Sequence, residues 1–174
     1  MLIGESAHGD GLNAAHVNTV LGPRNGPVAT AWATALATPT PGHVPFVTVL
    51  EPSVAVKPFT LFVTKATPES DDHQKLTWGP AQAGVAAGVA DAVAENIISA
   101  EQCDTHVIIA SVWVNPQADS PDSVYRNNRA ATLTALRNSV SGFPDLDRMH
   151  QSRGHVRNGA LPGAGLITLR RQQN

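Results

Sequence analysis

The residues with the clearest chemical potential are His16 and Asn18, in the segment GDGLNAAHVNTVLGPRNGP between two Gly/Pro-rich turns. If residues 12–21 form a strand, alternate side chains share a face, so the imidazole and the amide point the same way. An imidazole, with an unperturbed pKa near ~6.5, can donate or accept a proton at neutral pH. A strand histidine is also often only structural, so both interpretations stay open here. The residues expected to complete this face are Leu12, Ala14 and Val20.

A second polar pair closes the β-rich run at residues 59–67. Strand periodicity places Lys65 and Thr67 on one face with Leu61 and Val63. A lysine and a threonine in that position either contact a ligand or form a solvated strand end, and the solvated end is the commoner arrangement.

The clearest helix is predicted over residues 80–96, AQAGVAAGVADAVAEN after Gly79 and Pro80. Gln82 lies in its first turn, where its side chain and the free backbone N–H groups could face a ligand. The glycines permit close approach of this backbone to a sheet, at a helix-propensity cost of about 1 kcal/mol each.

These residues need a scaffold, and hydrophobic periodicity with turn signals predicts the element order ββαββαβα. The predicted strands cover residues 2–8, 12–21, 44–50, 59–67 and 106–115, and the predicted helices cover 28–37, 80–96 and 121–140. Residues 38–42 and 68–75 are predicted loops. The pattern indicates an α+β protein, a two-layer α/β sandwich of helices on a mixed sheet.

Composition is typical of one lightly charged globular domain. The 174 residues are 42% hydrophobic and 15% charged, enough for a sizeable core. No apolar run approaches the ~18 residues of a membrane span, and the first residues do not resemble a signal peptide. Cys103 is the single cysteine, which fits a reducing compartment. We therefore expect a cytoplasmic protein that does not bind membranes.

Charge is unevenly distributed along the chain. Residues 148–174 hold five arginines and no acidic residue and therefore carry a charge of +5. Because the net charge of the chain is −2, the first 147 residues carry −7. An acidic body with a basic tail does not fit a nucleic-acid-binding domain, whose basic residues would cluster on a folded face. We divide the chain into a domain at 1–142 and a basic tail at 143–174. The tail either lies on an acidic surface of its own or a neighbouring subunit, or is a frayed end.

Common cofactor and metal motifs are missing. The sequence has no GxxxxGK[ST] or GxGxxG phosphate loop, no HExxH, no CxxC and no GxSxG, and its seven histidines show no tight ligand spacing. We therefore predict no metal site and no tightly bound cofactor.

Several blocks in order nevertheless resemble one family. GDG…AHVN…GPRNGP, then KPFTLFVTKAT at 57–67, then GPAQAGVAAGVADAVAE at 79–95 are similar to the formaldehyde-activating enzyme family, over roughly residues 4–140. That family condenses formaldehyde with tetrahydromethanopterin, as a 5,6,7,8-tetrahydromethanopterin hydro-lyase. The resemblance implies a fold similar to domain 2 of ribosomal protein S5, with helices on one face of the sheet. It also implies a homopentamer with pterin sites between subunits.

Site residues are implied position by position. The family's catalytic histidine falls on His16. Its pterin-contacting positions fall on Asn18, Val47, Lys65, Thr67 and Gln82.

The reaction suits such residues. Formaldehyde adds to a pterin amine as a hemiaminal, which must lose water to become an iminium before the second amine closes the ring. Hydroxide is a poor leaving group, so a general acid such as His16 must protonate it. Lys65 and Gln82 would hold the pterin, so formaldehyde and pterin would be the ligands, with the pterin as co-substrate.

One departure keeps three functions under consideration. Where the family has AHID, this chain has Ala15-His16-Val17-Asn18, which retains the shape of the aspartate and loses its charge. The first function is the family's hydro-lyase reaction. The second is a pterin- or formaldehyde-binding paralogue with little catalysis, and the third is the same chemistry on another acceptor.

Overall fold

The computed structural model describes residues 1–154 and 156 of the chain. The strands are β1 (Leu2–His8), β2 (Ala15–Pro23), β3 (Phe46–Val47), β4 (Val49–Glu51), β5 (Val54–Ala55), β6 (Phe59–Thr64) and β7 (His106–Val114). The α-helices are α1 (Pro27–Ala37), α2 (Asp71–Leu76), α3 (Gln82–Ala94), α4 (Ala100–Thr105), α5 (Pro121–Ser141) and α6 (Leu146–Ser152). A short 3₁₀ turn covers Gly11–Asn13, and a π-helical turn, Thr77–Ala81, joins α2 to α3.

Five strands form one mixed sheet in the order β1-β2-β7-β6-β3. β6 runs parallel to β7, and the other neighbours are antiparallel. The helices α3 and α5 pack on each other and cover one face of this sheet. The predicted α+β class and two-layer sandwich are confirmed.

Side-chain alternation assigns the two faces of the sheet. Ala15, Val17 and Leu21 of β2 are buried beneath the helices, whereas His16, Asn18 and Val20 are only partly buried. On β7, Val112 and Val114 likewise belong to the core. Ser111 and Trp113, which alternate with them along the strand, are partly buried. We call the side of the sheet that carries His16 the open face.

The glycines of α3 approach another helix, so the predicted close approach to a sheet is wrong at these positions. A Cβ at Gly84 would lie 2.5 Å from the Tyr125 carbonyl oxygen, and one at Gly88 would lie 2.6 Å from the Arg129 carbonyl oxygen. The α3 and α5 backbones are thus nearly in contact. Arg129 also binds Asp91 of α3 in a bidentate ion pair, which holds the pKa of that carboxyl below its usual value.

Helix α5 has a recognisable capping signal at each of its ends. The Ser120 hydroxyl accepts from the Ser123 N–H, Pro121 occupies the first turn, and Gly142 ends the helix with φ of 72°. The loop at Gly11–Asn13 is tied to this start, because the Asn13 side-chain oxygen accepts from the Ser120 N–H.

Three predicted boundaries are wrong. The strand that carries His16 begins at Ala15 instead of residue 12, because Leu12 lies in the 3₁₀ turn. The predicted strand at 44–50 is divided at Thr48, where the chain leaves the large sheet to form a separate β4–β5 hairpin. The strand predicted to end at residue 67 ends at Thr64.

The predicted loop at 68–75 contains α2. Its start was readable, since the Ser70 hydroxyl accepts from the His73 N–H and two aspartates follow in the first turn. The helix α4, which was not predicted, begins with a capping box at Ser99 and Gln102.

The division between a domain and a tail at residue 142 stays a prediction. α5 ends there, and α6 follows without a buried residue. The part of the tail beyond residue 156 lies outside the described residues. No helix within the described part of the chain is both long and apolar enough to cross a membrane.

Candidate active site

His16 lies near the start of β2, the second strand of the sheet, on the open face. It pairs with Ala7 of β1 on one side and with Trp113 of β7 on the other. Its side chain is 26% exposed, so the imidazole is accessible from solvent but held between strands. Strand pairing on both sides fixes its backbone, which favours a precisely oriented ring.

Both ring nitrogens of His16 have partners. Nε2 lies 2.9 Å from Oε1 of Glu5, and Nδ1 lies 3.3 Å from Nζ of Lys65. A carboxylate only accepts and an ammonium only donates, so these partners assign the ring proton to Nε2 and a free lone pair to Nδ1. The imidazole therefore bridges a carboxylate and an amine.

Lys65 comes to this site from the end of β6. Its backbone N–H donates to the Val112 carbonyl, which continues the β6–β7 ladder by one residue. Its Nζ also lies 3.3 Å from the His16 carbonyl oxygen. Burial lowers the pKa of Lys65 to about 8, and the nearby Glu5 charge opposes part of that shift. The lysine predicted from the strand face is thus in direct contact with the predicted histidine.

Asn18 is the next residue of β2 on the open face, two residues after His16. It is half-buried, and its pairing partners are Glu5 on β1 and Ser111 on β7. Its amide makes no hydrogen bond among the described residues. The charge that the family's aspartate would bring is absent here, but the Glu5 carboxylate contacts the imidazole directly.

Glu5 is a functional candidate that sequence reasoning missed. It lies on β1, and only the register of β1 against β2 brings it to His16. A signal was available, because alternation from Gly4 to Ser6 places residue 5 on a polar face of a strand next to the histidine strand.

Gln82 is placed differently from the prediction. Ala81 before it is helical and α2 leads into α3 through the π-helical turn, so there is no free helix N-terminus at Gln82. The expectation that backbone N–H groups face a ligand there is wrong. The side chain is 9% exposed, and its Oε1 accepts from the Val49 N–H at 2.6 Å, so it anchors β4 to α3.

Val47 lies on the edge strand β3, and Thr67 lies in the loop after β6, two residues beyond Lys65. Val47 pairs with Leu61. Counted along the pairing, it is three strands and four residues from His16, a separation of about 20 Å. Thr67 is exposed beside Gly42, where it lines a small cavity of about 180 Å³ together with Trp78.

The six predicted site residues therefore fall into two groups. His16, Asn18 and Lys65 lie together on the open face and form what we call the histidine group. The others, called the distal group, are Val47, Thr67 and Gln82. Within one chain, no hydrogen bond among the described residues joins a side chain of one group to a side chain of the other, although Thr67 follows Lys65 by only two residues.

A single chain thus brings three titratable side chains, Glu5, His16 and Lys65, together on the open face. Glu5 also borders a groove of about 640 Å³ that Phe143, Arg148 and Met149 line from the C-terminal side. In the described part of the chain, no three His, Cys, Asp or Glu side chains come together as metal ligands.

Comparison with known proteins gives a consistent result. The sequence matches the model of the family described as "Formaldehyde-activating enzyme (Fae)" over residues 3–160. It is 44% identical over 147 residues to the "Bifunctional enzyme Fae/Hps" of Methanococcoides burtonii, which covers 84% of this chain and 37% of that protein. It is 41% identical over 145 residues to the protein of the same name from Archaeoglobus fulgidus, covering 83% and 37%.

A further relative has a similar length. The "5,6,7,8-tetrahydromethanopterin hydro-lyase" of Methanosarcina barkeri is 40% identical over 146 residues, covering 84% of this chain and 82% of that protein. The match to the bifunctional relatives spans only about 37% of their length.

Proposed function

The chain belongs to the formaldehyde-activating enzyme family, and from this membership we propose that it condenses formaldehyde with tetrahydromethanopterin, or a related reduced pterin. The product is the 5,10-methylene form, with loss of water. This makes the protein a carbon–oxygen lyase of one-carbon metabolism and formaldehyde detoxification. The name of the relative from Methanosarcina barkeri, a tetrahydromethanopterin hydro-lyase, supports this proposal.

The proposal rests on one observation: both ring nitrogens of His16 have a polar partner, Glu5 at Nε2 and Lys65 at Nδ1. The hemiaminal must lose hydroxide, and His16 is the general acid that protonates it. Glu5 can accept from Nε2–H in the neutral ring and in the imidazolium alike, so the ring keeps its orientation when it gains a proton. Fixing the acid beside the reacting carbon supplies much of the rate.

Pterin binding is assigned to Asn18, Val47, Lys65, Thr67 and Gln82. Val47 of the distal group lies about 20 Å from His16 in one chain, which is too far for one pterin ring to touch both. A site between two copies, with one group from each, removes this difficulty. It also agrees with a homopentamer, and we propose that assembly, in the cytoplasm and without nucleic-acid or membrane partners.

Asn18 favours a second candidate function. Without the aspartate charge beside the pterin amine, the same pocket serves a binding protein for pterin or formaldehyde, or a catalyst for another amine acceptor.

The first test is methylene-pterin formation above the spontaneous background, with purified protein, formaldehyde and tetrahydromethanopterin. We expect clear acceleration, loss of at least about a hundredfold with His16→Ala, and normal activity with His8→Ala, an exposed histidine of the same sheet. Full activity of His16→Ala together with loss in Lys65→Ala would reject His16 as the acid. Pterin binding without turnover would favour the binding protein.

Mixed oligomers test the shared site. His16→Ala damages one group and Val47→Trp blocks the other, so each variant alone should be inactive. When the two are unfolded and refolded together, some interfaces combine intact groups, and part of the activity should return. Mixtures that stay inactive while forming mixed oligomers would place the whole site within one chain.

A further inference from the structure

Lys65 differs from the other lysines of the chain. The sequence contains three, Lys57, Lys65 and Lys75, and all lie among the described residues. Lys57 pairs with Asp104 and Lys75 with Asp72, both at the surface. Lys65 is half-buried and directs its amine at the lone pair of an imidazole and at a backbone carbonyl. Among the three, only Lys65 lies beside an imidazole, which is a stronger base than the carboxylates that contact the other two.

The environment also makes the neutral amine accessible. Burial lowers the pKa of Lys65 to about 8, from an ordinary value of 10.5. Near neutral pH this raises the share of neutral amine by roughly three-hundredfold. A neutral primary amine beside an acid is the arrangement that forms Schiff bases with carbonyl compounds.

We propose that Lys65 is a nucleophile that takes up formaldehyde first, as a carbinolamine and then an iminium on Nζ, and passes the one-carbon unit to the acceptor. Uptake rests on the geometry of Lys65 and His16 alone. Transfer to a pterin rests on the proposed function.

Uptake balances without another reactant. The Lys65 ammonium gives a proton to Nδ1 of His16, and the free amine pair attacks the formaldehyde carbon. The C–N bond forms, the C=O π pair moves to oxygen, and a proton moves from nitrogen to that oxygen to give the carbinolamine. The imidazolium returns its proton to the hydroxyl, water leaves, and the nitrogen pair forms the iminium. Ammonium and formaldehyde thus yield iminium and water.

Transfer returns the enzyme to its starting state. An acceptor amine attacks the methylene carbon, and the iminium π pair returns to Nζ. Protonated Nζ then leaves as the acceptor nitrogen forms its own iminium, and the second acceptor amine closes the ring. The two acceptor N–H protons end on Nζ, which restores the ammonium.

Reductive trapping tests uptake without any pterin. The full-length protein is treated with limiting formaldehyde and cyanoborohydride, and methylation of each lysine is followed by peptide mass spectrometry. We expect Lys65 to react at least about tenfold faster than Lys57 and Lys75, which serve as internal controls. We also expect His16→Asn to slow labelling of Lys65 alone. Labelling of Lys65 no faster than of the surface lysines overturns the proposal.

Lys65→Arg separates the nucleophile from a residue that only holds the pterin. Arginine retains the cation and cannot form this iminium, so we expect kcat above background to fall by at least about a hundredfold with little change in KM. A raised KM with kcat retained would show a holding role and overturn the proposal. Lys75→Arg is the matched control and should behave as the parent.

Failure of the proposed function gives a different result. Rapid trapping at Lys65 without methylene-pterin formation leaves formaldehyde uptake standing and rejects the pterin as acceptor. Methylene-pterin formation by Lys65→Arg at the parent rate leaves the proposed function standing and rejects the nucleophile.

Discussion

At the scale of single residues, the site depends on what surrounds the imidazole more than on the imidazole itself. His16 contacts a carboxylate through one nitrogen and an amine through the other, so three ionisable groups act as one unit. The unit explains how a chain with asparagine at position 18 still supplies a carboxylate to its histidine. It also predicts that changes to the flanking groups affect rate more than folding.

Glu5→Gln tests that carboxylate. The amide oxygen can still accept from Nε2–H, but the negative charge is lost, so we expect kcat to fall by about tenfold. The Glu5 side chain is 60% exposed, and the melting temperature should hardly change. Steady-state kinetics and a thermal melt provide the measurement, with the exposed Glu69→Gln as control. An unchanged kcat would show that the contact has no part in the reaction.

Lys65 also makes stability depend on pH. The folded chain releases the Lys65 proton near pH 8, whereas the unfolded chain holds it to about 10.5. Between these values the unfolded state binds more protons, so this lysine makes the free energy of unfolding rise with pH. Lys65→Met removes the effect. The free energy of unfolding of the variant minus that of the parent should therefore fall by about 1–2 kcal/mol between about pH 7 and about pH 10.

Denaturant unfolding at fixed protein concentration measures this difference. Lys75→Met is the control, because Lys75 is exposed and its removal should give a nearly pH-independent difference. A Lys65→Met curve parallel to that of the parent would mean that the amine is fully solvated.

At the scale of elements, the positioning of the site depends on how closely α3 and α5 approach. Their contact at Gly84 and Gly88 keeps both helices against the same face of the sheet, and Asn138 of α5 donates to the Glu5 carbonyl. The helix layer thereby holds β1, which carries the Glu5 carboxylate beside His16.

Gly88→Ala should therefore destabilise the fold despite better helix propensity. Its Cβ would lie 2.6 Å from the Arg129 carbonyl oxygen and 2.8 Å from Thr132 Cβ, so the helices must separate. We expect a net loss of about 1–3 kcal/mol in the free energy of unfolding. Gly79→Ala is the control, since nothing lies within 4 Å of its added Cβ. Equal stabilities for the two variants would mean that the interface adjusts freely.

At the scale of the whole molecule, every buried residue that the structure describes lies within residues 1–142, and α6 contributes none to the core. The described part of the tail approaches the site at the groove that Glu5 borders. His16 and Val47, about 20 Å apart in one chain, favour a site completed by a second copy.

Truncation after Gly142 tests the division of the chain. We expect the shortened protein to fold and to melt within a few degrees of the full-length protein, because none of the described residues beyond 142 is buried. Thermal unfolding and light scattering report stability and assembly together. A large fall in melting temperature would make residues 143–174 part of the folded domain.

Local signals in the sequence were sufficient for most elements. Alternation along β2 and β7, proline and glycine at helix ends, and the alanine-rich run of α3 each depend on near neighbours, so they were readable directly. The α2 cap at Ser70 was equally local and was overlooked among polar residues. The candidates His16 and Lys65 followed from strand periodicity and from the family resemblance.

Only the tertiary structure decided which of these residues meet. The contact of Glu5 with His16 depends on the register of β1 against β2, and that of Lys65 depends on β6 lying beside β7. The burial of Gln82 against β4 depends on the chain leaving the sheet at Thr48. Such contacts join residues distant in sequence, and no local propensity specifies them. They are determined by burying one face of every strand and helix at once, which is a property of the packed molecule.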